Sequence, residues 1–294
     1  MITVDILLAT YNGSSFLAAQ IDSILQQDYP HLRLLIRDDC SQDGTEVVIQ
    51  KYAALFPSKI VFLPSEKRLG IKGNFSTLME HSTANYILFA DQDDVWEKDK
   101  VSKTLAKMKE LESHATMNSG LLVHTDLKVV DENLHLISDS FWNYAGIHLS
   151  RKITLNRLLA QNVVTGCTVM INKPLLQLAW PIPETTIMHD WWLALVAVTF
   201  GKIGSIPEST LLYRQHSKNT LGARKFCILK NVKQRLKIFI KPDPNKCAQA
   251  NELLKRYHAK LNEKQKQTLK TFIRLPRWSF FKQTILTLFY LLKR

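Results

Sequence analysis

The alternation within the first hundred residues constrains this chain more than any other feature. Short apolar runs at 3–9, 32–37, 60–63 and 86–90 are each followed by a polar cluster. The first three clusters lead into helix-like stretches. That order is the pattern of βα units, whose strands build a mainly parallel sheet with helices on its faces. Asn12-Gly13 turns the chain after the first run, and Ser14-Ser15 opens a helix from about Phe16 to Gln27. Ser41-Gln42-Asp43-Gly44-Thr45 leads into a second helix ending near Phe56-Pro57, and Leu69-Gly70-Ile71-Lys72-Gly73-Asn74 leads into a third. Ligands of open α/β sheets bind beyond the carboxyl ends of the strands, so Thr10-Tyr11-Asn12, Asp38-Asp39 and Asp91-Gln92-Asp93-Asp94 are expected on one rim. Further on, the pattern predicts a helix near 98–112, strands at 120–124 and 127–131, an apolar segment around 163–171 and a buried helix over 188–200.

Of 294 residues, 46% are hydrophobic, which supports a real core and excludes a disordered chain. Met1 runs straight into the first strand with no basic region before it, so no signal peptide and a cytoplasmic location are expected. The cysteines Cys40, Cys167, Cys227 and Cys247 are scattered without a Cys-x-x-Cys pair, which argues against zinc and for free thiols. The net charge of +13 is unevenly placed: residues 221–294 hold 19 Lys and Arg against 3 Asp and Glu, a net of +16. The body, 1–220, is left near −3. This split predicts a globular catalytic unit followed by a basic helical extension that meets an anionic surface. No recognition module accompanies the charge, so nucleic acid is set aside as that surface.

Three carboxylates in four positions, Asp91, Asp93 and Asp94, repel one another unless a cation or ligand sits among them. A hard divalent ion, Mg²⁺ or Mn²⁺, suits such a cluster, because it is satisfied by a few carboxylate oxygens together with phosphate and water. The same residues can also serve as a solvated helix cap. Tyr11 beside Asp39 would hold a pyrimidine base by stacking and by accepting its N–H, although each can equally close a turn or cap the core. There is no G-x-G-x-x-G at the first turn and no phosphate-binding P-loop, which weakens dinucleotide-binding and kinase alternatives. A nucleotidyltransferase would be expected to show a Gly-rich basic loop near the N-terminus, and Thr10-Tyr11-Asn12-Gly13 does not provide one.

Leu8-Ala9-Thr10-Tyr11-Asn12-Gly13, Asp38-Asp39-Cys40-Ser41-Gln42-Asp43-Gly44-Thr45 and Asp91-Gln92-Asp93-Asp94-Val95-Trp96 together resemble inverting glycosyltransferase family 2, whose fold is called GT-A. The motifs stand in family order and spacing over roughly residues 3–110. The resemblance implies a nucleotide-sugar donor held by Thr10, Tyr11, Asn12, Asp39, Lys72 and Asp91, with Tyr11 and Asp39 on the base and Asp91 near the ribose. It also implies that Asp93 binds the metal bridging the diphosphate. Cys40 stands where the family commonly has Gly, so the turn after Asp39 is expected to differ slightly.

In the second half, His189-Asp190-Trp191-Trp192 offers a base for the acceptor hydroxyl, and Asp190 is the candidate. The family usually has Glu-Asp here, and this chain puts His189 in place of the Glu. Asp190 is also well placed simply to favour the start of a helix. In Tyr213-Arg214-Gln215-His216, His216 is expected as a second metal ligand by the resemblance, and Arg214 as a cation near the leaving group. His-Asp-Trp-Trp, the later Tyr-Arg-Gln-His and Thr165-Gly166-Cys167-Thr168 resemble the bacterial rhamnosyltransferases of O-antigen and capsule assembly. That likeness implies dTDP-β-L-rhamnose as donor, with Trp191, Trp192, Gly166 and Arg214 around the sugar or acceptor. Other nucleotide sugars, such as UDP-Glc, UDP-Gal or UDP-GlcNAc, and a non-catalytic nucleotide-sugar-binding protein remain as alternatives. There is no Gln-x-x-Arg-Trp signature of processive synthases, so a single transfer is expected.

The tail mixes Lys and Arg with apolar clusters such as Ile238-Phe239-Ile240 and Trp278 through Leu292. Thr284 to Leu292 is too short to span a bilayer of about 30 Å, but a basic amphipathic helix can lie on its surface. A lipid-linked glycan acceptor and a peripheral position on the cytoplasmic face of the inner membrane follow as expectations. Packing of the tail on the catalytic domain is the competing one.

Overall fold

A computed structural model describes residues 2–147, 153–217, 219, 223 and 243–274. The predicted βα units are present: β1 (Val4–Thr10), α1 (Ser14–Leu25), β2 (Leu32–Asp38), α2 (Thr45–Leu55), β3 (Ile60–Leu63), α3 (Gly70–His81) and β4 (Tyr86–Ala90). Then come β5 (Val95–Trp96), α4 (Lys100–Ser113), β6 (Gly120–Val130), β7 (Leu136–Ser138), α5 (Phe141–Ala145) and α6 (Leu155–Ala160). A 3₁₀ turn (Gly166–Thr168) precedes β8 (Met170–Asn172), α7 (Lys173–Ala179), α8 (His189–Phe200) and β9 (Gly201–Arg214). Two helices from the basic extension follow, α9 (Pro244–Arg256) and α10 (Glu263–Arg274).

Among the described residues the strands form one mixed sheet in the order β3-β2-β1-β4-β8-β6-β9-β5, with β7 paired to β6. β1, β2, β3 and β4 run parallel, β8 is antiparallel to both β4 and β6, and β9 is parallel to β6. β9 therefore runs in the same direction as β4, and its carboxyl end reaches the same rim. β8 runs the other way, so the 3₁₀ turn at its start lies on that rim too.

Successive side chains of a strand face opposite ways, and the core divides accordingly. Leu7, Leu35 and Phe89 pack on one side with α3, α7 and α8; Ile6, Leu8, Leu34, Ile36 and Leu88 pack on the other with α1 and α4. Because both faces are covered, the strands read as nearly continuous apolar runs. Helix α1 buries Leu17, Ile21 and Ile24, the spacing of a one-faced helix, whereas α8 is apolar all round because it is enclosed.

Two sequence expectations change. The strands expected at 120–124 and 127–131 are one strand, β6, whose register against β9 shifts at Thr125/Asp126 and Asp126/Lys128. The polar His124-Thr125-Asp126 marks this bulge rather than a break, and the buried Asp126 carboxylate accepts from the Leu127 and Trp142 backbone N–H groups. The second concerns the extension. Ala250, Leu253, Tyr257, Leu261, Leu269 and Phe272 join the same apolar cluster as Leu7 and Trp192, so α9 and α10 belong to the packing of the catalytic body. The apolar clusters 238–240 and 278–292 lie outside the described residues.

Candidate active site

The chain ends of β1, β2, β4 and β9, the 3₁₀ turn and the start of α8 meet on one rim. Thr10, at the end of β1, donates its hydroxyl to Asp38 at 2.8 Å, and the backbone N–H of Asp39 donates to the Thr10 carbonyl at 2.8 Å, which locks the first two motifs together. Tyr11 and Gln92 exchange two hydrogen bonds, Tyr11 N–H to Gln92 Oε1 at 2.8 Å and Gln92 Nε2 to the Tyr11 carbonyl at 3.0 Å. This joins the first motif to the third. A Cβ at Gly13 would stand 2.2 Å from Gln92 Oε1, so a side chain there would push Gln92 away from Tyr11.

Tyr11 is partly open to solvent, and the Arg68 guanidinium lies over its ring at 3.9 Å. The sequence did not single out Arg68, which stands in an irregular loop without a periodic signal. Asn12 accepts from the Gln42 N–H and donates its own N–H to Ser41 Oγ. Asp39 is buried, and its carboxylate accepts from the backbone N–H groups of Leu69 at 2.7 Å and Gly70 at 2.8 Å, with Arg37 at 3.2 Å. It thus anchors the start of α3, and Arg68, which covers the Tyr11 ring, lies 3.8 Å from it. Cys40 adopts a φ of 64°, the left-handed conformation that glycine takes most easily and that a residue with a Cβ adopts at a cost.

The acidic motif splits in two. Asp93 turns toward β9: its Oδ2 lies 2.8 Å from His216 Nε2 and 3.1 Å from Asn219 Nδ2. Asp91, Asp94 and Cys167 converge separately, their donor atoms within 4.8 Å of one another. Burial, then Asp93 and Asp190, push the Asp91 carboxyl up to about 7, and burial with the neighbouring carboxylates holds Asp94 well above its usual range. Asp94 Oδ2 is buried with no hydrogen-bond partner among the described residues. The Asp93 carboxylate beside the His216 imidazole, with the reluctantly ionised Asp91 and Asp94 nearby, offers a setting that could hold a hard divalent cation. Asp93 and His216 supply the oxygen and nitrogen donors such an ion accepts, while the Cys167 thiol is a soft donor it disfavours.

Asp190 lies in the first turn of α8 and is buried. Its carboxylate accepts from its neighbour's backbone, Trp191 N–H, at 2.7 Å and from Asn162 Nδ2 at 3.1 Å. Burial outweighs the hydrogen bonds to it and raises the carboxyl to about 6. A carboxylate poised near neutrality and fixed by these donors is well suited to take a proton.

Several expected residues have other tasks. Trp192 is fully buried and donates its indole N–H to the Ala179 carbonyl at 3.0 Å, and Trp191 is buried and donates to the Leu158 carbonyl at 2.6 Å. Neither presents a face to a sugar; α8 is enclosed, so both rings go to the core. Lys72 donates to the carbonyls of Glu184 at 2.7 Å and Thr186 at 2.6 Å, tying α3 to the loop before α8. Arg214 holds the backbone, donating from Nε to the Asp93 carbonyl at 2.8 Å and from Nη1 to Glu132. Gly166 does reach the site, through Asp190. Lys100 escaped the sequence reading because charge in a helical pattern suggests a solvated face. It is instead fully buried, donating to the Cys167 carbonyl at 3.0 Å beneath the acidic cluster, and burial lowers its amine to about 8. Asn162 and Asn219 sit in loops where periodicity carries no information.

The chain is similar to known proteins in sequence and to solved structures in fold. The dTDP-rhamnosyl transferase RfbG of Shigella flexneri is 29% identical over 236 residues, 74% of each chain. The UDP-Glc:alpha-D-GlcNAc-diphosphoundecaprenol beta-1,3-glucosyltransferase WfgD of Escherichia coli is 26% identical over 231 residues, 77% of this chain and 82% of its own. In fold, the chain resembles S. aureus TarS 1-349 in complex with UDP, with a TM-score of 0.61 at 19% identity, covering 95% of this chain and 73% of that one. It also resembles the mannosyltransferase PcManGT of Pyrobaculum calidifontis in complex with GDP-Man and Mn²⁺, with a TM-score of 0.58 at 15% identity over 98% and 73% of the two chains. Residues 5–173 match the family described as glycosyl transferase family 2, and with more than half its length so matched the chain belongs to that family of GT-A glycosyltransferases.

Proposed function

We propose that the protein is an inverting, metal-dependent glycosyltransferase of bacterial cell-surface polysaccharide assembly that moves one sugar from a nucleotide-sugar donor to a hydroxyl of a growing glycan. The observation that carries this reading is the Asp190 carboxylate, buried, raised to about 6 and fixed by Asn162 and Trp191 next to the acidic cluster. Asp190 takes the proton of the acceptor hydroxyl while that oxygen bonds to the anomeric carbon. The bond from that carbon to the diphosphate oxygen breaks, and the nucleoside diphosphate leaves with the electron pair. Attack opposite the leaving group inverts the centre. Tyr11 and Asp39 flank the base, and Asp91 stands near the ribose. Asp93 and His216 would hold Mg²⁺ or Mn²⁺, which when bound neutralises charge on the departing diphosphate.

The RfbG relative favours dTDP-β-L-rhamnose as donor, and the WfgD relative favours UDP-Glc. Thermal shift of the purified protein against a panel of nucleotide sugars with Mn²⁺ separates them: greater stabilisation by dTDP-sugars than by UDP- or GDP-sugars supports rhamnose. WfgD's name also gives a diphosphoundecaprenol-linked acceptor, which supports a lipid-linked acceptor here and a role for the basic tail at an anionic membrane. No helix among the described residues is long and apolar enough to cross a membrane. The reaction itself is tested by NMR of the product formed from a donor of known anomeric configuration. Inversion is expected; retention would overturn the mechanism.

A further inference from the structure

Phe16, in the first turn of α1, is a large apolar side chain that the core does not use. Helix α1 packs on the sheet through Leu17, Ile21 and Ile24, and among the described residues Phe16 belongs to neither apolar cluster. Its half-buried ring meets residues from the second half of the chain instead. The His216 imidazole stacks on it, with ring centroids 4.6 Å apart and planes at 29°, and the Arg214 guanidinium lies 4.7 Å from its centre.

Those two side chains are the ones that grip Asp93. Arg214 donates from Nε to the Asp93 carbonyl at 2.8 Å, and His216 Nε2 lies 2.8 Å from Asp93 Oδ2. One ring therefore supports the hold on both the backbone and the carboxylate of Asp93. His216 stands two residues beyond the end of β9, outside the strand ladder, where Asn219 Oδ1 accepts from its N–H at 2.6 Å. That bond places the residue, whereas the direction of its ring depends on rotation about Cα–Cβ and Cβ–Cγ. A flat ring against the face of the imidazole restricts this rotation and leaves the edge bearing Nε2 turned to Asp93. An aliphatic side chain would fill the same space without offering a flat face.

We propose that Phe16 is a positioning residue that holds the His216 imidazole in the orientation needed to share a divalent cation with Asp93. The inference rests on Asp93 and His216 as the pair that would hold the ion in the proposed transfer. A donor set oriented in advance has less freedom to lose when the ion arrives, so the support is felt as metal affinity. Removing a group that orients a metal-binding histidine typically weakens the metal about 10- to 100-fold, and a stack without a hydrogen bond belongs at the lower end of that range.

The test measures Mn²⁺ binding by electron paramagnetic resonance of the free ion, with the full chain saturated by UDP or by dTDP. It compares wild type with Phe16→Leu, Phe16→Tyr, His216→Ala and the double variant of Phe16→Leu with His216→Ala. Titration of the same diphosphates in EDTA reports nucleotide binding without the ion. Phe16→Leu is expected to weaken Mn²⁺ about 10-fold while diphosphate affinity in EDTA stays within about twofold of wild type. Phe16→Tyr, which keeps the ring, should restore Mn²⁺ affinity to within about threefold of wild type. His216→Ala should weaken Mn²⁺ at least as much as Phe16→Leu, and combining the two should cost nothing further, because the support then has no ring to hold. A residue that merely packs would instead weaken both binding steps or add its full effect in the double variant. Unchanged Mn²⁺ affinity in Phe16→Leu beside a clear loss in His216→Ala, or additivity in the double variant, overturns the proposal and leaves the metal pair standing. Unchanged Mn²⁺ affinity in His216→Ala removes the ligand assignment itself, and the proposal with it. Should Phe16→Leu fail to fold, Phe16→Met enters the same comparison.

Discussion

Burial and hydrogen bonding act on Asp190 in opposite directions, and with Asp190 as the proposed base the balance sets the pH dependence of transfer. Burial raises the carboxyl to about 6 against hydrogen bonds that lower it, and Asp91 nearby is raised to about 7. A base must be ionised to accept a proton. Raised pKa values therefore mean that activity is lost on acidification sooner than for a free carboxylate near 4. The kcat/KM profile is expected to fall as pH drops through about 7 to 6; a rate flat down to pH 4.5 would contradict it. Chelation by EDTA should stop transfer and added Mn²⁺ should restore it, whereas full activity without metal would remove the role given to Asp93. Trp192→Phe, which loses the bond to Ala179 and part of a fully buried ring, should cost at least about 2 kcal/mol of stability and leave donor preference unchanged. That Asp39, Asp91, Asp93 and Asp190 stand at strand and helix ends was legible because carboxylates there form local patterns. The buried tasks of Trp191, Trp192 and Lys100 depend on what packs over them from distant parts of the chain.

At the scale of elements, α9 and α10 change how the basic extension is understood. Arg256 donates to the Pro181 carbonyl at 2.6 Å, Lys246 to the Ala160 carbonyl at 2.7 Å, and Gln249 Oε1 accepts from the Ile187 N–H at 3.1 Å. These contacts brace the segment that leads into His189 and Asp190, so part of the basicity serves the site by holding backbone. Leu253 is fully buried in the shared core, and Leu253→Ala should cost about 2–5 kcal/mol, read as a lower midpoint in urea. A change below about 0.5 kcal/mol would show that the extension is only loosely attached. The amphipathic spacing of these helices was visible in the sequence, but a basic helix with one apolar face suits a lipid surface and a protein surface equally. The bulge in β6 was misread for a related reason: a polar triplet inside an apolar run looks like a loop until its partner strand is known.

For the whole molecule, one mixed sheet collects on a single rim residues separated by up to about two hundred positions. The βα half of that arrangement was legible because each unit is local. The closing half was not, since β8 reverses direction and β9 pairs with β6 across eighty residues. The second half of the chain thus carries Asp190 to the rim that holds Asp91, and the proposed transfer rests on that placement. Single-turnover transfer by Asp190→Asn, with donor affinity measured by calorimetry on the same preparation, tests this most directly. The account predicts a rate at least about 10²-fold lower with donor affinity within about threefold of wild type; undiminished transfer, or loss of donor binding in step with the rate, would contradict it.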